Sequence, residues 1–226
     1  MLSLAGRTAA PAAQPVPVRS GGFGGAEGLA DYLVGQQFDI LIDATHPYAA
    51  IISVNAANAA QRAGIPLLAL RRPAWTPLAG DRWTEVGDMV GAVQALGNTS
   101  RRVFLALGRK EIEPFADAPQ HHYLVRSIDP VMPPLAVPNA VYVTGRGPFD
   151  EFDERIILEQ HRIDVIVAKN SGGAATYGKI AAARALGVPV IMVRRPASPD
   201  VEAVETVDEV VAWLDHKLAL ANSRGV

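Results

Sequence analysis

The sequence predicts an α/β fold of two facing, doubly wound domains with mostly parallel sheets, and two observations support this prediction. The first is a repeat: residues 38–73 and 163–196 each contain an apolar run, a polar turn, an alanine-rich segment, a glycine and a second apolar run ending in Arg-Arg-Pro. The second is that these runs lack polar alternation, which is typical of parallel strands covered on both faces. A strand–helix–strand unit of this length is a right-handed crossover, and ligands of such folds lie at the carboxyl ends of the strands.

The domain organisation is predicted from the length and the repeat. A chain of 226 residues fits one large domain or two small ones, and two copies of the unit favour two. We expect an N-terminal Rossmann-like domain over residues 1–97 and a C-terminal Rossmann-like domain over residues 98–226. The boundary is placed at Asn98-Thr99-Ser100, a polar segment between two apolar runs.

Composition and charge exclude several classes of function. With a net charge of −2 and no apolar run long enough to cross a bilayer, neither a nucleic-acid partner nor a membrane partner is expected. The absence of cysteine excludes disulfides, thiolate zinc sites and a cysteine nucleophile. Since the sequence does not open with a secretory signal pattern, we expect a cytoplasmic protein, and we expect it to be a monomer.

The N-terminal half is predicted to alternate strands with helices. Branched apolar runs predict its strands, alanine-rich or amphipathic runs predict its helices, and a glycine after an alanine-rich run marks a helix end. The predicted elements are, in order, the end of a strand at residues 2–4, a helix near Ala26–Val34, a strand at Ile40–Ala44, a helix near Ala49–Ala63, a strand at Leu67–Leu70, a short strand from Trp83 and a helix around Asp88–Leu96.

The C-terminal half follows the same rules. Its amphipathic helices show acidic residues in the first turn, as the helix dipole prefers, or an apolar face that covers a sheet. The predicted elements are, in order, strands at Arg102–Leu107, His122–Ile128 and Ala140–Val143, a helix at Phe149–His161, a strand at Asp164–Ala168, a helix after Gly173, a strand before Arg194 and a helix at Val207–Leu220.

Two polar segments of the N-terminal half are candidate ligand sites. Thr45, His46 and Tyr48 follow the strand of the first copy at its carboxyl end, where doubly wound folds bind ligands. The cluster Gly21-Gly22-Phe23-Gly24-Gly25 precedes the first helix. This cluster is either a flexible turn or a place where backbone approaches a ligand closely, and because it is not a GxGxxG motif both interpretations stay open.

Cationic and glycine-rich residues mark strand ends throughout the chain. Gly6-Arg7, Gly108-Arg109 and Gly145-Arg146 each follow a predicted strand, and guanidinium groups form forked bonds to carboxylate or phosphate. Some arginines will instead pair with surface carboxylates. The segment Lys169–Gly173 opens a helix with a hydroxyl and glycine amides, which suits an anion. The sequence has no HExxH, no GxSxG and no carboxylates paired for acid–base catalysis, so neither a hydrolase nor a metal site is indicated.

These motifs together resemble one enzyme family, the precorrin-6A reductases of cobalamin biosynthesis, which include cobalt-precorrin-6A reductases. The resemblance covers nearly the whole chain, and the motifs at residues 43–47 and 169–173 are specific. The matching motifs are Asp43-Ala44-Thr45-His46-Pro47-Tyr48-Ala49 followed by Ser53 and Asn55, Arg72-Pro73-Ala74-Trp75, Gly108-Arg109, Gly145-Arg146-Gly147-Pro148-Phe149, and Lys169-Asn170-Ser171-Gly172-Gly173 followed by Thr176 and Lys179.

The resemblance implies an NADPH-dependent oxidoreductase acting on a CH-CH group, which reduces one double bond of precorrin-6A to give precorrin-6B. The macrocycle is a polycarboxylate, so its partner surface should be cationic. The residues implied near the nicotinamide as catalytic are Thr45, His46 and Tyr48. Those implied in cofactor binding are Arg7, Gly22, Gly24, Gly25 and Thr45. Those implied in holding the substrate's carboxylate arms, or the cofactor's phosphates, are Arg109, Arg146, Lys169, Asn170, Ser171, Gly172, Gly173, Thr176 and Lys179.

The N-terminus departs from the family pattern. The family usually has a strand, a Gly-Gly-Thr turn and a helix before the Gly6-Arg7 region, and the sequence as printed does not contain them. We therefore expect the first strand–helix unit to be missing from the N-terminal domain, which leaves unpaired edges in the middle of its sheet. Arg7 then becomes the candidate for the 2′-phosphate of NADPH, since it ends what would be the second strand.

Three alternatives remain open at this point. The substrate is either cobalt-free precorrin-6A or its cobalt complex. A cofactor-free tetrapyrrole enzyme resembling uroporphyrinogen-III synthase would also have two α/β domains and bind a polycarboxylate. A non-catalytic nucleotide- or tetrapyrrole-binding module would share the same strand-end residues. The second alternative would be a cyclase that binds no NADPH, so NADPH binding distinguishes the reductase from it.

Overall fold

The structure, a computed structural model, describes residues 1–6 and 12–223, with side chains as far as residue 220. The strands are β1 (Leu2–Leu4), β2 (Val18–Ser20), β3 (Leu41–Asp43), β4 (Leu67–Leu70), β5 (Trp83–Val86), β6 (Arg102–Ala106), β7 (His122–Ser127), β8 (Ala140–Thr144), β9 (Val165–Lys169), β10 (Val190–Val193) and β11 (Ala203–Val204). The helices are α1 (Ala26–Gly35), α2 (Ala50–Ala63), α3 (Met89–Leu96), α4 (Glu151–Gln160), α5 (Gly178–Leu186) and α6 (Val207–Ser223), with a 3-10 helix at Glu113–Asp117.

The described residues form two compact units. The first unit contains residues 1–6, 12–73 and 196–223, and the second unit contains residues 74–195. Every strand pair in both units is parallel. The predicted α/β class with mostly parallel sheets is therefore confirmed.

The second unit is built on a six-stranded sheet in the order β5-β10-β9-β6-β7-β8. From β6 the chain adds β7 and β8 on one side, whereas β9 pairs with the other edge of β6 and β10 follows it outward. The strand order thus reverses between β6 and β9. The carboxyl ends of these two strands form the crevice where doubly wound sheets bind ligands.

Apolar side chains from the sheet and from α4 and α5 form the core of the second unit. Fully or nearly fully buried members include Phe104, Leu124, Leu158, Ile166, Ile180 and Met192. Helices α4 and α5 meet at Gly178, where an added Cβ would lie 2.5 Å from the Phe149 carbonyl oxygen. Glycine at this position therefore permits the first turn of α5 to contact the segment that opens α4.

The first unit has two smaller sheets. β1 pairs with β2, and β3, β4 and β11 form a three-stranded sheet in the order β11-β4-β3. No strand pairing joins β1 to β3 within the described parts of the chain. Helices α1 and α2 pack against each other through Leu29, Leu33, Ala56 and Ala59.

The sequence repeat is also a structural repeat. The alignment of the two copies equates Leu41 with Ile166 and Leu67 with Val190, and the structure pairs Leu41 with Leu67 and Ile166 with Val190. In each copy the amide of the first of these residues donates, at 3.0 Å, to the carbonyl of the proline before the second strand. Each intervening helix ends at a left-handed glycine, with φ of 69° and 67°. Both copies therefore fold as βαβ units with one register.

The strand that follows each copy pairs with the sheet of the other copy. β5 follows β4 along the chain but pairs with β10, and β11 follows β10 but pairs with β4. The observed division at residues 73 and 195 thus differs from the predicted boundary near residue 98. The physical reason is that a short strand carries no local signal for its pairing partner. Chain order alone placed β5 and α3 in the N-terminal domain and residues 196–226 in the C-terminal domain, whereas β5 pairs with β10 and β11 pairs with β4.

Most predicted elements lie where the sequence indicates, with ends displaced by one or two residues. The sequence analysis did not predict β2, β11 or the 3-10 helix. The helix predicted to open at residues 169–173 begins only at Gly178. Among the described residues, no helix combines the length and the apolar character that crossing a bilayer needs.

Candidate active site

Asp43 organises the carboxyl end of β3 in the first unit. One of its oxygens, Oδ1, accepts hydrogen bonds from the Thr45 amide at 3.0 Å and the Thr45 hydroxyl at 2.7 Å, while Oδ2 pairs with Arg71 at 2.6 Å. Burial of Asp43 alone would raise its pKa, but hydrogen bonds from Arg71, Thr45 and Ser53 outweigh burial and lower it. The carboxylate is therefore ionised and fixes the turn that follows the strand.

The predicted catalytic residues of this turn lie together. The Thr45 hydroxyl donates to Asp43 and lies 3.1 Å from the Ser53 hydroxyl on α2, within hydrogen-bonding distance. His46 is exposed and its Nδ1 accepts from the Tyr48 amide at 3.3 Å, with the two rings 5.6 Å apart. When the imidazole is neutral, this bond leaves the ring proton on Nε2. The exposed edge of His46 is then a hydrogen-bond donor.

The N-terminal glycine turn, residues 21–25, connects β2 to α1. Gly21, Gly24 and Gly25 have φ of 112°, 83° and 97°, and no atom lies within 4 Å of a Cβ added at these positions. Arg19 donates to the Gly21 and Gly22 carbonyls at 2.7 Å each, and its guanidinium stacks on Phe23 at 3.7 Å. The turn is therefore ordered by Arg19 and is open at its glycines, as close approach of a ligand to backbone requires.

In the second unit an ion pair lies at the strand-order reversal. The Lys169 ammonium at the end of β9 donates to both oxygens of Glu111, at 2.7 and 2.6 Å. Glu111 also accepts the Gly108 amide at 2.8 Å, just beyond β6. A Cβ on Gly108 would lie 2.9 Å from the Glu111 Oε2 atom. Glycine at this position therefore lets Glu111 fold back and hold Lys169 at the crevice.

The segment that follows β9, residues 169–176, is called here the β9 turn. Its Gly172 and Gly173 both have left-handed backbone, with φ of 68° and 69°. Asn170 is buried, and its side-chain amide bonds both polar groups of the Trp75 backbone: Oδ1 accepts the Trp75 N–H and Nδ2 donates to the Trp75 carbonyl, at 2.8 Å each. Both ends of the Asn170 side-chain amide are therefore engaged within the protein, and contact of Asn170 with the substrate stays a prediction.

Lys179 lies beneath the β9 turn and is 4% exposed. Its ammonium donates to the Thr176 carbonyl at 2.6 Å and lies 4.9 Å from the centre of the Trp75 ring. The pKa of Lys179 is lowered to about 7, chiefly by burial and also by the nearby cations Arg126 and Lys169, whereas Glu154 opposes the shift. Because its ammonium is buried, Lys179 supports the turn from within the protein, and its contact with substrate stays a prediction.

A buried ion pair extends this charged cluster. Arg126 on β7 pairs with Glu154 on α4, and the two side chains are 7% and 1% exposed. The Arg126 guanidinium also stacks on Phe149 at 3.8 Å. Glu154 Oε2 has no hydrogen-bond partner among the described residues. The cluster therefore places two buried charged side chains close to Lys179.

The remaining predicted residues lie at the same edge or outside the description. Arg109 follows β6 and Arg146 follows β8, and both are exposed. Ser171 is half-buried, with its amide donating to the Lys169 carbonyl at 2.7 Å. Arg7 lies outside the described residues. Within those that are described, no three His, Asp or Glu side chains are grouped as metal ligands.

The chain is similar to known proteins of one family. The model of a family described as precorrin-6x reductase CbiJ/CobK matches residues 1–215. The chain belongs to this family. It is 58% identical to a precorrin-6A reductase of Sinorhizobium sp over 220 residues, 97% of this chain and 84% of the relative. It is 48% identical to the precorrin-6A reductase of Rhodobacter capsulatus over 227 residues, 100% of this chain and 89% of the relative.

A solved structure supports the same assignment. CobK precorrin-6A reductase matches with a TM-score of 0.92 and 48% identity, over 95% of this chain and 85% of that one. Membership in the precorrin-6x reductase family makes the chain an oxidoreductase of cobalamin biosynthesis. This decides against the cofactor-free cyclase and the non-catalytic module.

Several residues that shape the site of this precorrin-6x reductase were missed by sequence reasoning. Arg19, Arg71, Glu111 and the buried pair Arg126–Glu154 had no role assigned to them. Each acts through a partner at least two residues away, and for Glu111 and Lys169 the separation is 58 residues. The available signal was weak: Arg71 belongs to the repeated Arg-Arg-Pro, whereas Glu111 stands in no motif.

Proposed function

We propose that the chain reduces one double bond of precorrin-6A with NADPH, giving precorrin-6B. The observation that supports this most directly is the constellation at the reversal of strand order in the second unit. There Lys169, Glu111 and the glycines of the β9 turn converge, with Arg109 and Arg146 at the same edge. Cationic and amide donors at such a crevice suit the carboxylate arms of a corrin precursor.

The first unit fits a dinucleotide. A nicotinamide cofactor supplies the hydride when it is bound. The N-terminal glycine turn leads directly into α1, whose N-cap Gly25 makes no side-chain capping bond, so the first amides of the helix can meet phosphate. On this proposal Gly22, Gly24 and Gly25 lie against the cofactor, and Arg7 binds the 2′-phosphate that distinguishes NADPH from NADH.

The protein's own tasks are orientation and charge matching. Hydride addition to a conjugated macrocycle needs no protein nucleophile, so binding geometry supplies the acceleration. Thr45, held by Asp43, fixes the turn, and the Nε2–H of His46 donates a hydrogen bond to the reacting partners. In the second unit Glu111 orients the Lys169 ammonium, and Ser171 adds a hydroxyl.

The proposal is tested by single-turnover oxidation of NADPH with precorrin-6A, using Ser171→Ala, Lys169→Ala and His46→Ala. We expect the two substrate variants to impair macrocycle turnover with the fold intact. His46→Ala should slow hydride transfer about tenfold to a hundredfold, because it removes positioning and no proton abstraction starts the reaction. The same assay with cobalt-precorrin-6A distinguishes the two substrates.

Matched controls make the result specific. Ser100→Ala removes a hydroxyl that donates to the Gln120 carbonyl at 2.7 Å, just before the amino end of β6. His122→Ala removes an exposed histidine at the start of β7. Both should leave turnover at the wild-type rate. Wild-type rates in Ser171→Ala, Lys169→Ala and His46→Ala would show that these turns are not the active site.

Cofactor choice is tested separately by pairing Arg7→Ala with Arg19→Ala. If Arg7 binds the 2′-phosphate, its loss should weaken NADPH binding by about 1.5–3 kcal/mol and leave NADH binding nearly unchanged. Arg19 orders the turn through Gly21 and Gly22, so its loss should weaken both nucleotides alike. Equal losses for both nucleotides in Arg7→Ala would remove Arg7 from the proposed role.

A further inference from the structure

Trp75 contacts the β9 turn through its backbone and its side chain. Its N–H and carbonyl bond the two ends of the Asn170 amide at 2.8 Å each. Its indole Nε1 donates to the Gly173 carbonyl at 2.8 Å. The side chain reaches across 98 residues of sequence to do so and is 9% exposed. Three hydrogen bonds therefore join one residue to both ends of the segment 170–173.

The indole ring of Trp75 also contacts residues that follow this segment, at the start of α5. The Lys179 ammonium lies 4.9 Å from the ring centre and donates to the Thr176 carbonyl at 2.6 Å. Tyr177 packs edge-on against the indole, with centroids 5.6 Å apart at 61°. The ring thus contacts two residues that continue from the turn into α5. Asn170 and Gly173 are thus bonded to Trp75 itself, and Thr176 is bonded to Lys179, which contacts the indole ring.

A glycine pair with left-handed backbone is conformationally permissive, so a turn of this sequence is mobile unless its surroundings determine it. Burial of a tryptophan needs one partner for its indole N–H, and here that partner is the carbonyl of the second glycine itself. The contact therefore determines the direction of the peptide that precedes Ala174.

We propose that Trp75 is a positioning residue, which holds the β9 turn in the conformation that binds the substrate. The inference rests on the proposed role of this turn in substrate binding. Trp75 is buried under the turn and acts through Asn170, Gly173 and Lys179. A positioning residue of this kind lowers the conformational freedom of the free enzyme, so its loss raises KM more than it lowers kcat.

The test compares Trp75→Phe with Trp213→Phe. Both changes keep an aromatic ring and remove one indole N–H, which donates to Gly173 at 2.8 Å in one case and to Glu202 at 2.7 Å in the other. Amide hydrogen exchange of residues 170–178 in the substrate-free enzyme reports the turn. Steady-state kinetics with precorrin-6A reports binding and turnover. Asn170→Asp, which keeps the acceptor for the Trp75 N–H and loses the donor to its carbonyl, tests the same contact independently.

We expect Trp75→Phe to speed exchange in residues 170–178 and to raise KM for precorrin-6A, each by about fivefold to tenfold, as the loss of one hydrogen bond predicts. kcat should change by less than about twofold, and Trp213→Phe should change neither quantity. Asn170→Asp should speed exchange in the same residues.

Two outcomes overturn the inference. Unchanged exchange in Trp75→Phe would show that the contact does not order the turn. Faster exchange with an unchanged KM would show that ordering the turn does not serve binding. Ser171→Ala then separates the two proposals: a defect in that variant retains the proposed function and rejects Trp75 alone, whereas wild-type kinetics rejects both.

Discussion

At the scale of single residues, two buried ionisable groups support the site. Asp43 keeps its charge, whereas the pKa of Lys179 is shifted toward the neutral form. Asp43 is 3% exposed and ionised, and it is compensated by Arg71 and by hydrogen bonds from Thr45. Lys179 is 4% exposed and meets a carbonyl and an aromatic face, with two further cations nearby. A buried charge is tolerated when it is paired, and its pKa moves toward the neutral form when it is not.

Asp43→Asn should lower the free energy of unfolding by about 3–5 kcal/mol, because it leaves the half-buried Arg71 without its charged partner. The control is Glu27→Gln, which breaks an exposed pair with Arg62 at 3.0 Å, with side chains 77% and 57% exposed, and should cost less than about 1 kcal/mol. Since the pKa of Asp43 is lowered on folding, its contribution is present above pH about 4 and is lost as pH falls further. Urea unfolding at pH 7 and at pH 3 measures both effects, and equal costs for the two variants at pH 7 would contradict the burial argument.

Lys179→Met should change how stability depends on pH. The pKa of Lys179 is about 7 in the folded chain against an ordinary value of 10.5, so between these values the unfolded chain binds a proton that the folded chain does not. Its presence therefore makes stability rise with pH in this window, by up to about 1.4 kcal/mol per pH unit. Urea unfolding from pH 7.5 to pH 10 should show the wild-type value gaining on that of the variant. A constant difference would mean that Lys179 keeps its proton on folding.

At the scale of elements, we expect the same substitution at equivalent positions of the two repeat copies to lower stability by similar amounts. Gly64 and Gly187 end α2 and α5 with left-handed backbone, and no atom lies within 4 Å of a Cβ added at either position. Replacing either glycine by alanine meets no steric obstacle beyond the backbone conformation itself. The cost should therefore be the intrinsic one for an L-residue in this region.

Gly64→Ala and Gly187→Ala should each lower the free energy of unfolding by about 1 kcal/mol, within a few tenths of each other. Gly35→Ala is the matched control, because Gly35 is the last residue of α1, its added Cβ also meets nothing within 4 Å, and its φ is not positive. That change should raise stability by about 0.5–1 kcal/mol. Thermal unfolding measures all three, and a large difference between Gly64 and Gly187 would contradict the equivalence.

The helices and strands were largely predictable from the sequence, but the contacts within the turns at their ends were not. Periodicity and the glycine ends located β3, α2 and β4, and the repeat transferred them to β9, α5 and β10. The strand-end turns were predicted as the site for the same reason, because parallel strands end at one edge. The contacts within those turns were unpredictable, since Trp75 meets Asn170 across 95 residues and nothing in either local sequence indicates the other.

At the scale of the whole molecule, the pairing of β5 with β10 and of β11 with β4 determines which fragments of the chain can fold alone. Among the described residues the second unit is one continuous segment, 74–195, whereas the first needs residues from both ends of the described chain. All six strands of the larger sheet lie in residues 74–195. A cut at the predicted boundary near residue 98 would remove β5 and leave β10 as an exposed edge.

The fragment 74–195 should therefore fold alone and show a cooperative thermal transition by circular dichroism. The fragment 98–195 lacks β5 and α3 and should unfold at a lower temperature, or show no cooperative transition. Equal transitions in the two fragments would contradict the assignment of β5 to this sheet. Adding α3 and β5 as a separate peptide should restore the loss only if the pairing with β10 forms.

The position of β11 also bears on the order in which the chain can fold as it leaves the ribosome. Domains usually fold from the N-terminus onward during translation. Here the N-terminal unit cannot complete its three-stranded sheet until Ala203–Val204 has been made, when all strands of the second unit are already available. The unit that is synthesised first is consequently the last to finish, and until then the outer edge of β4 stays open to any nascent or neighbouring strand.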